Sequence, residues 1–244
     1  MEEPLIEPMP SEIKPIDKRF LKLPNHSILP SPPFTMAVIG SISSGKTSFV
    51  YTLLNKLYKN YFDELIVCCA TLDSKASWEK INQRSVLFLN DFDDQAFMEY
   101  IKEIEQEQLI RASKNKYPLR VCLVLDDIVF EGFNRNRAGT LEKLMMTCRH
   151  YNISIILALQ HTKQISPAMR NQIMYYVLFR LTANDLKKVC EEHSNSLTSE
   201  QFEKMYNDIQ EKGKHEFMII NYKRPMNERF SYRFTKPIDL SLYK

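Results

Sequence analysis

The sequence GSISSGKT at residues 40–47 constrains this chain more than any other feature, because it stands between a strand-like and a helix-like segment. It matches the pattern GxxxxGK[ST]. The preceding FTMAVIG is a short apolar run that ends in glycine, and apolar residues recur at helical spacing in the segment that follows. Glycines let successive backbone N–H groups turn inward around an anion, and a helix N-terminus adds partial positive charge. The chain is therefore predicted to contain a phosphate-binding loop.

Every position of this loop is a candidate contact for a nucleotide. Lys46 is expected to reach the β- and γ-phosphates, and the Thr47 hydroxyl to ligate Mg²⁺. The other candidates surround the phosphates: Gly40, Ser41, Ile42, Ser43, Ser44, Gly45 and Ser48. The alternative interpretation is an ordinary turn between a strand and a helix.

Apolar runs and helical patterns alternate along the rest of the chain. Strands are predicted at residues 34–40, 64–70, 85–90, 119–127, 152–160 and 174–181, with helices over 44–60, 93–113 and 137–148. Near-continuous apolar strands that alternate with helices are typical of a parallel sheet covered on both faces. The predicted fold class is therefore α/β, with a mostly parallel sheet flanked by helices.

Three parts are predicted along the chain. Eight of the twelve prolines lie within residues 1–33, which are therefore expected to be an extended arm: a linker, a docking arm or a disordered segment. Residues 34–182 are expected to form the α/β core. Residues 183–244 are expected to add two helices, over 183–192 and 198–212, and a β-hairpin that packs on the core.

The composition excludes several classes of protein. The chain is 44% hydrophobic and 26% charged, with a net charge of +3, which are ordinary values for a globular protein. No apolar run is long enough to span a bilayer, and MEEPLIEPMP at the start lacks the pattern of a secretory signal. The five cysteines are odd in number and form no CxxC pair, which favours buried free thiols in a reducing compartment.

Two further strands end in polar side chains that suit nucleotide chemistry. In VCLVLDDI, Asp126 is predicted to lie near the Mg²⁺ and Asp127 to polarise the attacking water. The strand that ends in Gln160 would bring an amide to the γ-phosphate or to that water. The alternatives are an ordinary strand-to-loop turn for the aspartates and a strand cap for Gln160.

One further strand between the phosphate-loop strand and the Asp126 strand would make this an additional-strand, RecA/FtsK-like P-loop NTPase. The strands predicted at residues 64–70 and 85–90 are the candidates for that inserted position.

The combination of GSISSGKTS, VLDD and CRHYNISIILALQHTKQISPAMRNQ resembles the FtsK–HerA superfamily, and within it the viral genome-packaging ATPases of poxviruses, other large DNA viruses and virophages. This resemblance implies a homo-oligomeric ring, a hexamer or a pentamer, that hydrolyses ATP to drive double-stranded DNA into a preformed capsid. It further implies a portal or vertex protein as partner and a place at viral assembly sites in the host cytoplasm or in the virion. By matching position, Asp127 is the catalytic base and Gln160 the sensor, although many relatives carry Glu at the position of Asp127.

A ring motor of this kind completes its site with an arginine from the neighbouring subunit. Arg149 is the first candidate, Arg170 the second and Arg180 a weaker one, and each is otherwise a solvated or carboxylate-paired side chain. Sequence-independent DNA contact is expected from the loop at residues 131–137 or from the basic C-terminal stretch. The aromatic residues of that stretch are otherwise a buried hairpin face: Tyr222, Phe230, Tyr232 and Phe234. Trp78, the single tryptophan, is expected to pack against the edge of the sheet.

Rival functions are distinguished by what accompanies the phosphate loop. A GTPase would carry an NKxD-type motif, which is not found after the loop. A small-molecule kinase would carry a flexible, arginine-rich lid over the phosphates. The loop with Arg135 and Arg137 resembles such a lid only weakly. A non-viral DNA translocase of the same superfamily would use identical chemistry. A degraded phosphate loop that only clamps a nucleotide is disfavoured because Lys46, Thr47, Asp126 and Gln160 are all intact.

Overall fold

The computed structural model describes residues 29–69, 78, 81, 83–89, 94–127, 135–235 and 237–243. Within these residues eight strands form one sheet: β1 (Thr35–Ile39), β2 (Glu64–Cys69), β3 (Val86–Leu89), β4 (Val121–Asp126), β5 (Ile153–Leu159), β6 (Tyr175–Leu178), β7 (Met218–Asn221) and β8 (Phe230–Tyr232). The helices are α1 (Lys46–Thr52), α2 (Asp94–Ser113), α3 (Arg135–Thr147), α4 (Pro167–Arg170), α5 (Ala183–His193) and α6 (Ser199–Gln210), and a π-helical turn over Leu53–Leu57 extends α1.

The strand order is β3-β2-β4-β5-β1-β6-β7-β8. Strands β1 to β6 pair in parallel, and β7 pairs antiparallel with both β6 and β8. The predicted fold class is therefore confirmed, with the hairpin β7–β8 continuing the parallel sheet at one edge. Each predicted strand is present, and its ends lie within a few residues of the expected ones.

Apolar side chains cover both faces of the sheet, because the central strands are apolar at consecutive positions. On one face, strand residues such as Ile155 and Leu157 pack with residues of α2, α3, α5 and α6. On the other face, residues such as Ile156 and Val124 pack with α1, the π-helical turn and Trp78. Helices on both sides of an open parallel sheet place the loops after the strands in a crevice at their carboxyl ends.

The inserted strand differs from the expectation. Strand β5 lies between β1 and β4, so the additional-strand arrangement is present. The sequence-based candidates, residues 64–70 and 85–90, were wrong: β2 and β3 lie beyond β4, toward the edge of the sheet. The inserted strand is therefore the one that precedes Gln160. Sequence patterns do not reveal this, since strand order depends on which helix crosses which face.

Several expectations fall partly outside the described residues. Most of the proline-rich arm, residues 1–28, lies outside them, as do residues 131–134 of the expected DNA-contacting loop. The five cysteines are described, and all are buried free thiols, as predicted. Among the described helices, none has the length and apolar character to cross a membrane.

The aromatic side chains of the C-terminal hairpin belong mainly to the protein interior. Phe230 and Phe234 are buried, and Phe234 stacks on Phe49 of α1 with ring centroids 5.9 Å apart. Arg233 forms an ion pair with Glu216 at 2.6 Å. The alternative interpretation, a buried hairpin face, is therefore correct for these two phenylalanines.

One tyrosine fastens α6 to the end of β6. The Tyr206 hydroxyl donates to the Phe179 carbonyl at 2.7 Å and accepts from the Leu181 N–H at 2.7 Å. The side chain is 3% exposed, and burial raises the pKa of Tyr206 to about 12. The hydroxyl therefore satisfies a buried carbonyl and a partly buried N–H group.

Replacing Tyr206 by phenylalanine should lower the free energy of unfolding by about 1–3 kcal/mol, because these two backbone groups lose their partner. Urea denaturation of the full chain measures this change. Tyr117→Phe is the matched control, since Tyr117 is 60% exposed and should change stability by less than about 0.5 kcal/mol. Equal effects of the two substitutions would contradict the assignment.

Candidate nucleotide-binding site

The register of the sheet brings the three predicted motifs together at the carboxyl ends of the parallel strands. In the parallel pairing, Ile39 of β1 lies beside Leu159 of β5, and Asp126 of β4 lies beside Ala158. Gly40, Asp127 and Gln160 therefore follow three adjacent strands at their carboxyl ends. This is where open α/β sheets bind their ligands.

The loop before α1 has the backbone that its glycines predict. Gly45 has φ 108°, a left-handed conformation that favours glycine. A Cβ atom at Gly40 would lie 2.6 Å from the Cβ of Phe179, so this position has no room for a side chain. The Ser41 N–H donates to the Arg180 carbonyl at 2.8 Å, which fixes the loop to the end of β6. The first-turn N–H groups of α1 have no intrahelical acceptor and are available to an anion.

Lys46 folds back over the loop. Its Nζ donates to the Gly40 carbonyl at 2.8 Å and to the Ser41 carbonyl at 3.1 Å. The residue is only 6% exposed, and desolvation lowers the pKa of Lys46, while the carboxylates of Asp126 and Asp127 oppose this shift. A partly desolvated ammonium beside two neutral carbonyls is well suited to bind phosphate oxygens.

Thr47 and Asp126 have the geometry of a magnesium site. The Thr47 hydroxyl donates to Asp126 Oδ1 at 3.2 Å. Two neighbouring oxygen ligands of an octahedral Mg²⁺, each at about 2.1 Å, lie roughly 3 Å apart. These two hard oxygen donors therefore fit the ion, and phosphate oxygens and waters would complete its shell.

Trp78 is fully buried in the apolar cluster that covers one face of the sheet, at the carboxyl end of β4. Its Nε1–H donates to Asp126 Oδ2 at 3.0 Å, a contact that the sequence did not predict. Burial raises the pKa of Asp126, and the hydrogen bonds from Trp78 and Thr47 oppose that shift. No pattern in the sequence connects these residues, since they are 48 positions apart.

Asp127 and Gln160 form a second pair beside the first. Gln160 Nε2 donates to Asp127 Oδ1 at 2.9 Å. Asp127 has φ 55°, a left-handed conformation that aspartate tolerates better than most residues and that turns its side chain away from the strand direction. The hydrogen bond brings the two side chains together at the carboxyl ends of β4 and β5.

The turn after Gln160 is held rigidly. Gln164 Oε1 accepts from the N–H groups of Gln160 and His161, at 2.6 and 2.8 Å. Asp185, near the start of α5, accepts from the Thr162 N–H at 3.0 Å and contacts His161 Nδ1 at 2.8 Å. A displacement at Gln160 would therefore be transmitted to α5.

The candidate arginines lie in different places. Arg149 is exposed and precedes β5, so it lies at the amino ends of the parallel strands, about 20 Å from the phosphate loop. Arg170 shares a surface cavity of about 700 Å³ with Arg149, pairs with Glu192 at 3.2 Å and donates to the Ile165 carbonyl at 2.8 Å. Arg180 is exposed and lies two positions after β6, where its carbonyl accepts from the Ser41 N–H. Of the three arginines, Arg180 therefore lies beside the phosphate loop, whereas Arg149 lies at the other end of the strands.

His215, which the sequence did not indicate, contacts the phosphate loop from the C-terminal part. Its Nδ1 lies 3.0 Å from the Ser44 carbonyl, and because a carbonyl only accepts, Nδ1 carries the proton in this contact. The ring also lies close to Gly45, whose Cβ position would be 3.3 Å from Nδ1. The contact joins residues 171 positions apart, which explains why it escaped the sequence analysis.

Replacing His215 by alanine should raise the KM for ATP by about 5-fold, with little change in kcat, because one hydrogen bond that orders the loop is lost. Asparagine should restore the wild-type KM, since its Nδ2 occupies nearly the same position as histidine Nδ1. Steady-state kinetics of the two variants measures this difference. Equal KM values for His215→Ala and His215→Asn would show that the hydrogen bond does not order the loop.

Solved structures share this fold at low sequence identity. The DNA-packaging ATPase B204 of Sulfolobus turreted icosahedral virus matches with a TM-score of 0.60 and 18% identity, over 85% of this chain and 98% of that chain. The genome packaging NTPase B204 of Sulfolobus turreted icosahedral virus 2, in complex with ATP-gammaS, gives 0.56 and 17%, over 85% and 99%. EssC (ATPases 2 and 3) from Geobacillus thermodenitrificans gives 0.52 and 16%, over 64% of this chain. This chain spans only 34% of that EssC chain.

The sequence itself also has a family match. No curated protein sequence is similar enough to count as a match. The sequence model of the family described as Poxvirus A32 protein, in contrast, matches residues 22–229, which is most of the chain and includes the entire site described above. The chain therefore belongs to the poxvirus A32 protein family.

Proposed function

We propose that this protein hydrolyses ATP to move double-stranded DNA into a preformed viral capsid. Its family and its likeness to packaging NTPases support a viral genome-packaging ATPase. The observation that carries the proposal is that hydrogen-bonding contacts join the four polar side chains beyond the loop lysine into two adjacent pairs, Thr47 with Asp126 and Asp127 with Gln160.

In this proposal the phosphate loop and Mg²⁺ hold the triphosphate. Lys46 exchanges its two carbonyl acceptors for β- and γ-phosphate oxygens, and the first-turn amides of α1 donate to the phosphates. Thr47 and Asp126 would hold Mg²⁺, and the ion would supply positive charge against the phosphates. The backbone of residues 40–48 then encloses the anion. Binding therefore requires Lys46 to leave the Gly40 and Ser41 carbonyls, whereas Thr47 and Asp126 already lie side by side.

Asp127 and Gln160 act on the attacking water. Asp127 accepts a proton from the water, and Gln160 holds the carboxylate in position through its Nε2–H. The turn that follows Gln160 is bonded to α5 through Asp185, so a change at the γ-phosphate reaches the C-terminal part of the chain. This connection is the proposed route from hydrolysis to movement.

We further propose that the active assembly is a homo-oligomeric ring, a hexamer or a pentamer, in which Arg149 completes the site of the neighbouring subunit. Arg149 is exposed at the amino ends of the parallel strands, where it can contact another subunit but not the phosphate loop of its own subunit. Arg170 is the second candidate, although its pairing with Glu192 would have to break. The proposed partners of the ring are sequence-independent duplex DNA and a portal or vertex protein at viral assembly sites in the host cytoplasm.

The first test is steady-state ATP hydrolysis with and without double-stranded DNA. The proposal expects turnover to require Mg²⁺ and to rise when duplex DNA of any sequence is added. Turnover that is indifferent to DNA at every protein concentration would exclude the motor and favour a small-molecule kinase or a nucleotide clamp.

A mixing experiment tests the role in trans. Arg149→Ala and Asp127→Ala should each be inactive alone, whereas an equal mixture should recover activity. In a randomly mixed ring roughly a quarter of the interfaces would combine an intact base with an intact neighbouring arginine. The same mixture made with Arg170→Ala or Arg180→Ala identifies the arginine, because a residue that acts in trans gives a variant that is inactive alone and regains activity in the mixture. Recovery with Arg170→Ala or Arg180→Ala but not with Arg149→Ala would overturn the assignment to Arg149.

A further inference from the structure

We infer that Trp78 is a positioning residue for the magnesium-binding carboxylate Asp126, an inference that rests on the nucleotide site proposed above. The indole is fully buried, and its Nε1–H donates to Asp126 Oδ2 at 3.0 Å. The tyrosine ring of Tyr51 in α1 meets it edge-on, with centroids 6.2 Å apart at 60°. Packing therefore fixes the ring, and the ring fixes one carboxylate oxygen.

The two oxygens of Asp126 have different partners. Oδ1 faces the Thr47 hydroxyl at 3.2 Å, in the geometry of a shared metal ligand, and Oδ2 faces Trp78. Indole is a donor only, so this contact requires a carboxylate oxygen that accepts. Trp78 therefore orients the carboxylate plane so that Oδ1, and not Oδ2, points toward Thr47.

The contact with Trp78 does not depend on whether the metal site is filled. A Thr47 hydroxyl that turned a lone pair toward Mg²⁺ would keep its hydrogen, but its contact is with Oδ1. Among the side chains that the structure describes, Trp78 is the hydrogen-bond donor to the other oxygen, Oδ2. Residues that form a hydrogen bond with a metal ligand orient that ligand. Their removal typically lowers metal affinity by about 10- to 100-fold.

A purely structural role for Trp78 predicts a different result. If the indole only fills the core, Trp78→Phe would lower thermal stability without changing the Mg²⁺ requirement. If it positions Asp126, the same substitution keeps an aromatic ring, loses the donor and raises the Mg²⁺ requirement. A matched control is Tyr58→Phe, which removes a hydroxyl that donates to the Pro30 carbonyl within the same apolar cluster.

The test is a Mg²⁺ titration of the full chain bound to a fluorescent ATPγS derivative, with the fluorophore excited directly. We expect Trp78→Phe to raise the Mg²⁺ concentration at half-maximal binding by about 10-fold or more. ATP hydrolysis by this variant should recover toward the wild-type kcat at saturating Mg²⁺. Tyr58→Phe should have the wild-type Mg²⁺ midpoint. An unchanged midpoint in Trp78→Phe would overturn the inference.

A second measurement needs no substitution at Trp78, and it remains decisive should that variant fail to fold. Trp78 is the only tryptophan of the chain, so the indole emission of the protein reports on this contact alone. Adding Mg²⁺ to the ATPγS-bound protein should change that emission, and Thr47→Ala should abolish the change. Emission that is unaffected while Mg²⁺ binds would overturn the inference. Wild-type protein that shows no Mg²⁺-dependent nucleotide binding would instead refute the proposed site.

Discussion

Replacing Lys46 by alanine should reduce ATP hydrolysis by about 10²- to 10³-fold, with and without DNA. The side chain is nearly buried, where a charge interacts more strongly with phosphate than it would in water. Within the part of the chain that the structure describes, its acceptors are the neutral Gly40 and Ser41 carbonyls, and charged phosphate oxygens are stronger partners. Steady-state turnover at saturating Mg²⁺·ATP measures the loss.

The control for this substitution is Lys56→Ala. Lys56 lies in the π-helical turn that extends α1, and it is exposed. Its removal takes away the same charge from the same helical segment and should change turnover by less than about 2-fold. The melting temperature of Lys46→Ala should not be lower than that of the wild type, because alanine removes the cost of burying an ammonium group. A Lys46→Ala protein that keeps a tenth of the wild-type turnover would contradict the assignment.

Replacing Asp127 by asparagine should lower kcat by about 10²- to 10⁴-fold while nucleotide binding changes by no more than about 3-fold. Asparagine tolerates the left-handed backbone of this position, and its carbonyl oxygen can still accept from Gln160. The substitution therefore removes the basic carboxylate and preserves the local geometry. Single-turnover hydrolysis together with equilibrium binding of ATPγS separates the two quantities.

The neighbouring aspartate provides the contrast. Asp126→Asn should impair Mg²⁺-dependent nucleotide binding itself, because that side chain is bonded to Thr47 in the geometry of a metal ligand. Asp239→Asn, at an exposed position near the C-terminus, should leave both quantities unchanged. If Asp127→Asn weakened binding as much as Asp126→Asn, the two aspartates would not have the separate roles that the structure suggests.

The sequence predicts the site better than its surroundings. Residues 40–47 form the expected turn because the requirement for glycine, as at Gly45 with its positive φ, is a local property. The predicted polar side chains stand at the ends of apolar strands: Asp126 ends β4, Asp127 follows it, and Gln160 follows β5. Because these strands are parallel, their carboxyl ends lie side by side. Helix ends were also predictable to within a few residues, since Thr182 and Thr198 cap α5 and α6 with their side chains.

The errors concern contacts between distant segments. The sequence gave β2 and β3 as candidates for the inserted strand, whereas β5 is inserted. It did not predict the hydrogen bond between Trp78 and Asp126. It gave no sign of His215, which reaches Ser44 from the C-terminal part. None of these features has a repeating pattern or a fixed spacing.

What the sequence alone determined is the α/β class, the glycine-containing turn at residues 40–47, and the carboxylates and amide at the ends of the neighbouring strands. These follow from apolar periodicity and local backbone requirements, which act over a few residues. Only the tertiary structure decided the strand order, the end of the sheet at which Arg149 lies, and the contacts that Trp78 and His215 make with the site. The physical reason is that these features depend on which face of the sheet each connecting helix covers. The chain adopts the arrangement that buries the most apolar surface as a whole, which no short segment determines.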